Sequence, residues 1–199
     1  MKAIMKYPGS KWGTAEWIIS HFPKHHSYVE PFFGSGGVFF NKPRSDIETI
    51  NDLDGDVVNL FRWIKNDPEK LAHEIYFTPY SREVYEAAYQ KEPEDSLEKA
   101  VLFYVRLNMG HGFRTTGEKV GWKADIQGRE KAYSAAEWCK IPEKIMEAAE
   151  RLRGVSPLEK LQQGLGYMEH EDGTRISSVG QVREGERMKT YVKDGVIWS

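Results

Sequence analysis

Ser27-Tyr28-Val29-Glu30-Pro31-Phe32-Phe33-Gly34-Ser35-Gly36-Gly37-Val38-Phe39-Phe40 is the stretch on which the fold turns. A short β-prone run enters a glycine-rich loop, and an apolar segment that reads as the start of a helix leaves it. Ile47-Glu48-Thr49-Ile50 is a second strand candidate, ending at Asn51-Asp52. Upstream, Tyr7-Pro8-Gly9-Ser10 is turn chemistry, followed by Trp17, Ile18 and Phe22 at helical spacing up to Pro23. Downstream, Val57, Leu60, Phe61 and Ile64 fall at i, i+3, i+4 and i+7, the apolar stripe of a helix. Helices and strands therefore alternate over the first 65 residues, which predicts an α/β fold with a parallel sheet.

From Asp67-Pro68, an N-cap and first-turn pair, to Met109 the pattern is helical, with breaks at Thr78-Pro79 and Pro93 and with Ser96 as a candidate cap. Residues 110–135 are rich in glycine and charge and read as a loop or hairpin. Pro142 opens a helix in which Ile145, Met146, Ala149 and Leu152 share a face. After Ser156 the character changes. A short helix over 157–163 precedes turn signals at Asp172-Gly173 and Asp194-Gly195, and Met188, Thr190 and Val192 alternate with Lys189, Tyr191 and Lys193. A small β-rich segment of about 40 residues is expected there.

The chain has 199 residues, enough to bury a core. Its net charge of -2 conceals an uneven distribution. Residues 1–45 carry six basic and two acidic groups, 46–100 six and fourteen, 101–153 ten and seven, and 154–199 six and seven. Within 106–131, basic residues are interleaved with Phe113, Trp122 and glycines, a mixture that suits both a phosphate-facing loop and a solvated one. No apolar run approaches the length of a membrane span, the N-terminus lacks the apolar core of a signal peptide, and Cys139 is the single cysteine. The expectation is a cytoplasmic protein with no membrane association.

A glycine loop between a strand and a helix lets backbone approach a ligand and turns N–H groups toward it. With an acidic strand end at Asp52 about 20 residues on, it fits nucleoside binding; a buried turn beside an unrelated aspartate has the same signature. His170, Glu171 and Asp172 are adjacent on a strand and turn, so their side chains point apart. A solvated turn, and no metal site, is expected.

Lys6-Tyr7-Pro8-Gly9-Ser10-Lys11, the Glu30-to-Gly36 loop and Asn51-Asp52 together resemble the Dam-type (D12 class) adenine-N6 DNA methyltransferases over residues 4–155. The resemblance implies a partial class I, Rossmann-like sheet with a helical insertion. It divides the chain into a cofactor-binding α/β portion (1–66), a helical target-recognition insertion (67–153) and the β-rich segment (156–199). It also implies S-adenosylmethionine as cofactor, double-stranded DNA as partner and adenine N6 as the methylated atom. Carried over by position, Lys11 pairs with the methionine carboxylate, Tyr7 lies near the sulfonium and Asp52 accepts from the ribose, while Phe32, Gly34, Ser35 and Gly36 line the pocket. Phe103-Tyr104-Val105-Arg106-Leu107-Asn108-Met109-Gly110 looks like the family's target-recognition region, which makes Arg106, Asn108, Arg114 and Lys123 candidate DNA contacts.

One departure bears on the reaction. Amine methylation in this family uses an Asp-Pro-Pro-Tyr-like motif that accepts hydrogen bonds from the target amine and stacks on the flipped base. The nine prolines here, at 8, 23, 31, 43, 68, 79, 93, 142 and 157, are never adjacent. Residues 156–199 instead resemble the C-terminal segment of the exonuclease VII large subunit, which implies the small exonuclease VII subunit as a partner. Three readings follow: a methyltransferase unable to complete transfer alone; a non-catalytic module binding DNA, cofactor or that subunit; or a fusion of gene fragments without selected function.

Overall fold

In the computed structural model the described residues are 3–124, 135–153, 167–176, 181–183, 186–192 and 195–198. They fall into two compact units, Met1–Leu152 and Arg153–Ser199.

The first unit mixes helices with a small parallel sheet. Helix α1 (Ala15–Ser20) leads to strand β1 (Ser27–Glu30), which pairs in parallel with β2 (Ile47–Ile50), Ser27 opposite Ile47 and Glu30 opposite Ile50. Among the described residues of this unit these two strands are the whole sheet. The helix expected from Val38 is a single turn, closed by Phe40 N–H to Gly36 C=O (2.9 Å) and Lys42 N–H to Val38 C=O (3.0 Å). Gly36-Gly37 lies behind it and Pro43 ahead, and a residue before proline is turned away from helical geometry, so the segment cannot lengthen. Its apolar residues are nonetheless core: Val38, Phe39 and Phe40 are buried.

Helices α2 (Gly55–Asn66), α3 (Pro68–Phe77), α4 (Arg82–Gln90) and α5 (Ser96–Met109) follow the expected breaks. Asp67 caps α3 by accepting from Lys70 N–H, and Ser81 caps α4 by accepting from Val84 N–H. The cap of α5 is Asp95, whose carboxylate accepts from Glu98 N–H at 2.8 Å, and not Ser96. Ser96 is the first helical residue, with its carbonyl receiving Asn59 Nδ2–H at 2.7 Å. Past α5, Gly110 and Trp122 form an antiparallel bridge, flanked by His111 N–H to Gly121 C=O and Lys123 N–H to Met109 C=O, both 2.8 Å. Residues 125–134 lie outside the described set.

Helix α6 (Ala135–Trp138) and helix α7 (Ile141–Leu152) complete the unit. The buried stripe of α7 is Ile141, Ile145, Ala148, Ala149 and Leu152. Ala148 takes the place expected for Met146, which is half-buried. Helix α7 packs on α3 and α2, and α5 on α2 and α4, around Leu60, Ile64, Leu71, Ile75, Phe103 and Leu107. Burying each such side chain stabilises the fold by about 1.5–3 kcal/mol before entropy is counted.

Beta strand and helix are also tied by charge. Glu48 of β2 is buried and accepts from Lys42 Nζ at 2.6 Å, Ser45 N–H at 3.1 Å and both terminal nitrogens of Arg151. Burial opposes ionisation of Glu48, but the hydrogen bonds from Arg151, Lys42 and Ser45 outweigh it and hold its pKa down at about 2.

The second unit is an antiparallel sheet in the order β4-β3-β5-β6, from β3 (Tyr167–His170), β4 (Arg175–Ile176), β5 (Met188–Val192) and β6 (Gly195–Trp198). The expected strand at 188 is present, but residues 188–191 are all half-buried, so it does not alternate between a buried and an exposed side. The Asp172-Gly173 turn is as expected: Gly173 has φ +86° and Asp172 accepts from Thr174 N–H at 2.8 Å. The helix expected over 157–163 lies outside the described residues. Among the described residues, no helix is long and apolar enough to cross a membrane, and no three His, Cys, Asp or Glu side chains are grouped to hold a metal ion.

Candidate functional site

A cleft of about 360 Å³ opens where the two glycine-bearing loops meet the end of β2. It is lined by Tyr7, Gly9, Ser10, Lys11, Glu30, Phe32, Phe33, Gly34, Ser35, Gly37 and Asp52. Six of the seven cofactor candidates read from the sequence are thus in its wall. The seventh, Gly36, lies one residue from it, at φ +67°, where an added Cβ would meet Phe33 and Phe40 at 2.5–2.6 Å.

The loops are held together by specific contacts. Gly34 has φ +50°, and a Cβ there would come within 3.2 Å of the Tyr7 ring. A Cβ on Gly37 would come within 2.8 Å of the Trp12 backbone nitrogen, so glycine there lets the two loops touch. Ser10 and Ser35 share a hydrogen bond of 2.8 Å, which uses the buried Ser35 hydroxyl as a tie between loops. Phe33 is buried edge-on against Phe39 and Phe61, whereas its neighbour Phe32 stands 73% exposed at the rim.

Asp52 is fixed by backbone. Its Oδ2 accepts from Gly34 N–H at 2.7 Å and its Oδ1 from Asp54 N–H at 2.9 Å. A carboxylate oxygen has two acceptor directions, so one on each atom remains for a ligand hydroxyl. Tyr7 donates its hydroxyl to Asp54 Oδ2 at 2.8 Å; burial first, and then that carboxylate, push its phenol pKa up. Lys11 Nζ donates to Gly9 C=O at 2.5 Å, at the mouth of the cleft. Glu30 also faces the cleft. Burial raises its pKa, against hydrogen bonds from the Tyr28 hydroxyl and Phe39 N–H.

The sequence reading left Ser10, Asp54 and Phe113 without a pocket role. Asp54 looks like the N-cap of α2, which it also is, accepting from Asp56 N–H. Phe113 belongs to the loop after α5, and its ring lies 6.1 Å from that of Tyr7 and 5.6 Å from Phe103. Nothing local in the sequence signals either contact.

The four DNA candidates have separate partners. Arg106 donates to Asp56 Oδ2 at 3.1 Å, and Asn108 Nδ2 donates back along its own helix to Tyr104 C=O at 2.9 Å. Lys123 is buried at 4% exposure, with its carbonyl receiving the Tyr80 hydroxyl. Arg114 pairs with Glu118 and keeps 63% of its side chain in solvent. In the second unit, His170 Nδ1 lies 2.7 Å from Glu186 Oε1.

A family model described as D12 class N6 adenine-specific DNA methyltransferase matches residues 7–109. The DNA adenine methylase of Vibrio cholerae serotype O1 is 28% identical over 141 residues, which cover 66% of this chain and 50% of that protein. The DNA adenine methylase of Escherichia coli (strain K12) is 32% identical over 108 residues, 51% of this chain and 38% of that protein. The DNA N-6-adenine-methyltransferase of Escherichia phage P1 is 30% identical over 108 residues, 51% of this chain and 14% of that protein. The chain spans half or less of the length of these relatives.

Proposed function

The chain belongs to the D12 class of N6 adenine-specific DNA methyltransferases, and from that membership we propose that its cleft binds S-adenosylmethionine and that the chain serves adenine-N6 methylation of DNA. The observation that carries the reading is convergence: Tyr7, Lys11, the Gly34-Ser35 backbone and Asp52, spread over 45 residues of sequence, line one cleft.

The donor set fits the cofactor. Asp52 retains acceptor capacity for ribose hydroxyls, Lys11 offers an ammonium to the methionine carboxylate, and Glu30 and Asp52 supply negative charge to a cationic sulfonium. The glycines at 34 and 37 let the Tyr7 ring and the Trp12 backbone close against the glycine loop, which shapes the wall of the cleft. Bound there, the cofactor supplies an electrophilic methyl group. The chain's own part is to orient it: Asp52 holds the sugar, Lys11 the carboxylate, and the Tyr7 ring bounds the sulfonium side. On this reading β1 and β2 are the first strands of a class I, Rossmann-like sheet and residues 67–153 its target-recognition part. Arg114, the candidate with most of its charged side chain in water, is the DNA contact the geometry favours.

The absence of adjacent prolines within these 199 residues favours a second reading beside the first. Without an Asp-Pro-Pro-Tyr-like motif no group is assigned to accept from the target amine, so the chain alone binds cofactor and DNA without completing transfer. The 156–199 segment, by its likeness to exonuclease VII, would then be a docking part. Two measurements test this. Titration calorimetry with S-adenosylmethionine is expected to show binding that Asp52→Ala removes; no binding at millimolar cofactor overturns the pocket. Incubation with DNA and methyl-labelled cofactor is expected to give no transfer, and robust turnover by the purified chain overturns the second reading.

A further inference from the structure

Three aspartates stand at every second position from the end of β2 into α2, and each is linked to the next. Asp52 Oδ1 accepts from Asp54 N–H at 2.9 Å, and Asp54 Oδ1 accepts from Asp56 N–H at 2.9 Å. The outer oxygens look to other parts of the fold: Asp52 Oδ2 to Gly34 N–H, Asp54 Oδ2 to the Tyr7 hydroxyl, and Asp56 Oδ2 to Arg106 on α5. Lys99, also on α5, reaches Asp56 Oδ1 at 2.9 Å.

Three carboxylates within five residues repel one another, and the positive end of α2 offsets part of that repulsion. Arg106 supplies countercharge at the far end. Its guanidinium is held between elements, 5.9 Å from the Phe103 ring and 5.8 Å from the Tyr89 ring. Its Nε is buried with no hydrogen-bond partner among the described residues. A half-buried arginine, flanked by two rings and already paired with Asp56, is less free to follow a phosphate backbone than to hold that carboxylate.

We infer that Arg106 is a positioning residue for the cofactor cleft: by holding Asp56 it keeps the first turn of α2 in place, so that Asp54 stays aimed at Tyr7 and Asp52 at the glycine loop. Helix α5 thereby sets the affinity of a cleft it does not line. This inference rests on the reading of that cleft as the cofactor site.

Calorimetric titration of the full chain with S-adenosylhomocysteine, comparing wild type, Tyr7→Phe, Arg106→Ala and their double variant, tests it. Arg106→Ala is expected to raise Kd about tenfold, and the double variant to bind no more weakly than the weaker single variant, because both changes break one chain of contacts. Arg106→Lys keeps the charge without the planar fork and is expected to lose about threefold. Where Arg106→Ala does not fold, the Lys variant decides. Multiplying losses in the double variant, or a wild-type Kd in either Arg106 variant, overturns the inference and leaves the cleft intact. Failure of the wild-type chain to bind overturns the cofactor reading, and this inference falls with it.

Discussion

Arg151, near the end of α7, holds Glu48 of β2 with both terminal nitrogens, at 2.6 and 2.8 Å, although 103 residues separate them. The same guanidinium lies 4.0 Å from the centre of the Phe39 ring, and Lys42 closes the other side of the carboxylate. A planar fork matched to a carboxylate is a use of arginine that lysine cannot reproduce. This buried cluster joins the turn after the glycine loop, β2 and α7.

Removing the charge of Glu48 leaves Lys42 and Arg151 without their shared partner. Glu48→Gln is therefore expected to destabilise the chain by about 3 kcal/mol, the scale for breaking a buried pair from one side. Urea unfolding at neutral pH measures it. A change within experimental scatter would show that the cluster adds nothing to stability.

Acid should act through the same carboxylate. Its folded pKa, about 2, lies below the ordinary 4.5, so its contribution is complete above 4.5 and is lost as pH falls from there toward 2. Glu30 works the other way: burial raises its pKa, so acid relieves a cost there. Chemical denaturation from pH 6 to 2.5 should show stability falling below pH 4.5, with a shallower fall in Glu48→Gln.

Two glycines of contrasting surroundings, Gly37 and Gly13, make a paired comparison. At Gly37 an added Cβ would lie 2.8 Å from the Trp12 nitrogen and 3.0 Å from the Lys11 carbonyl carbon, whereas at Gly13 nothing lies within 4 Å. Gly37→Ala is expected to cost about 1–3 kcal/mol by forcing the loops apart, and Gly13→Ala to stay within about 0.5 kcal/mol. Thermal melts of the two variants distinguish them, and equal melting temperatures would contradict the close approach.

Asp52 has a structural task apart from any ligand. In Asp52→Ala the N–H groups of Gly34 and Asp54 lose their acceptor, at a cost of about 1–3 kcal/mol. Asp52→Asn retains one acceptor oxygen and is expected to fall between wild type and Ala in stability. Denaturation curves of the three proteins give the order.

Much of the architecture was legible because its signals are local. The i, i+3, i+4, i+7 stripe of Val57, Leu60, Phe61 and Ile64 marks α2, and those four residues are its buried set. Asp67-Pro68 marks the start of α3 through a side chain that caps the backbone three residues on, and Thr78-Pro79 marks the break after it; the Ser81 cap of α4 emerged only in the structure. Misreadings came where two local signals competed. Asp95 and Ser96 are both good caps, and the acceptor one residue earlier took the role. At Val38–Phe40 the apolar run suggested a helix, but the glycines and Pro43 left space for one turn.

By itself, then, the amino-acid sequence determined strands β1 and β2, helices α2, α3, α5 and α7, the glycine loop with Asp52 after it, and the likeness to the adenine methyltransferases. These depend on spacings of a few residues and on backbone preferences that act within them. The tertiary structure alone decided which side chains meet. It set Tyr7 on Asp54 across 47 positions, Arg106 on Asp56 across 50 and Arg151 on Glu48 across 103, and it buried Lys123. A charged side chain has many candidate partners along a chain, and packing of the helices selects one by bringing it within about 3 Å and removing water from around it.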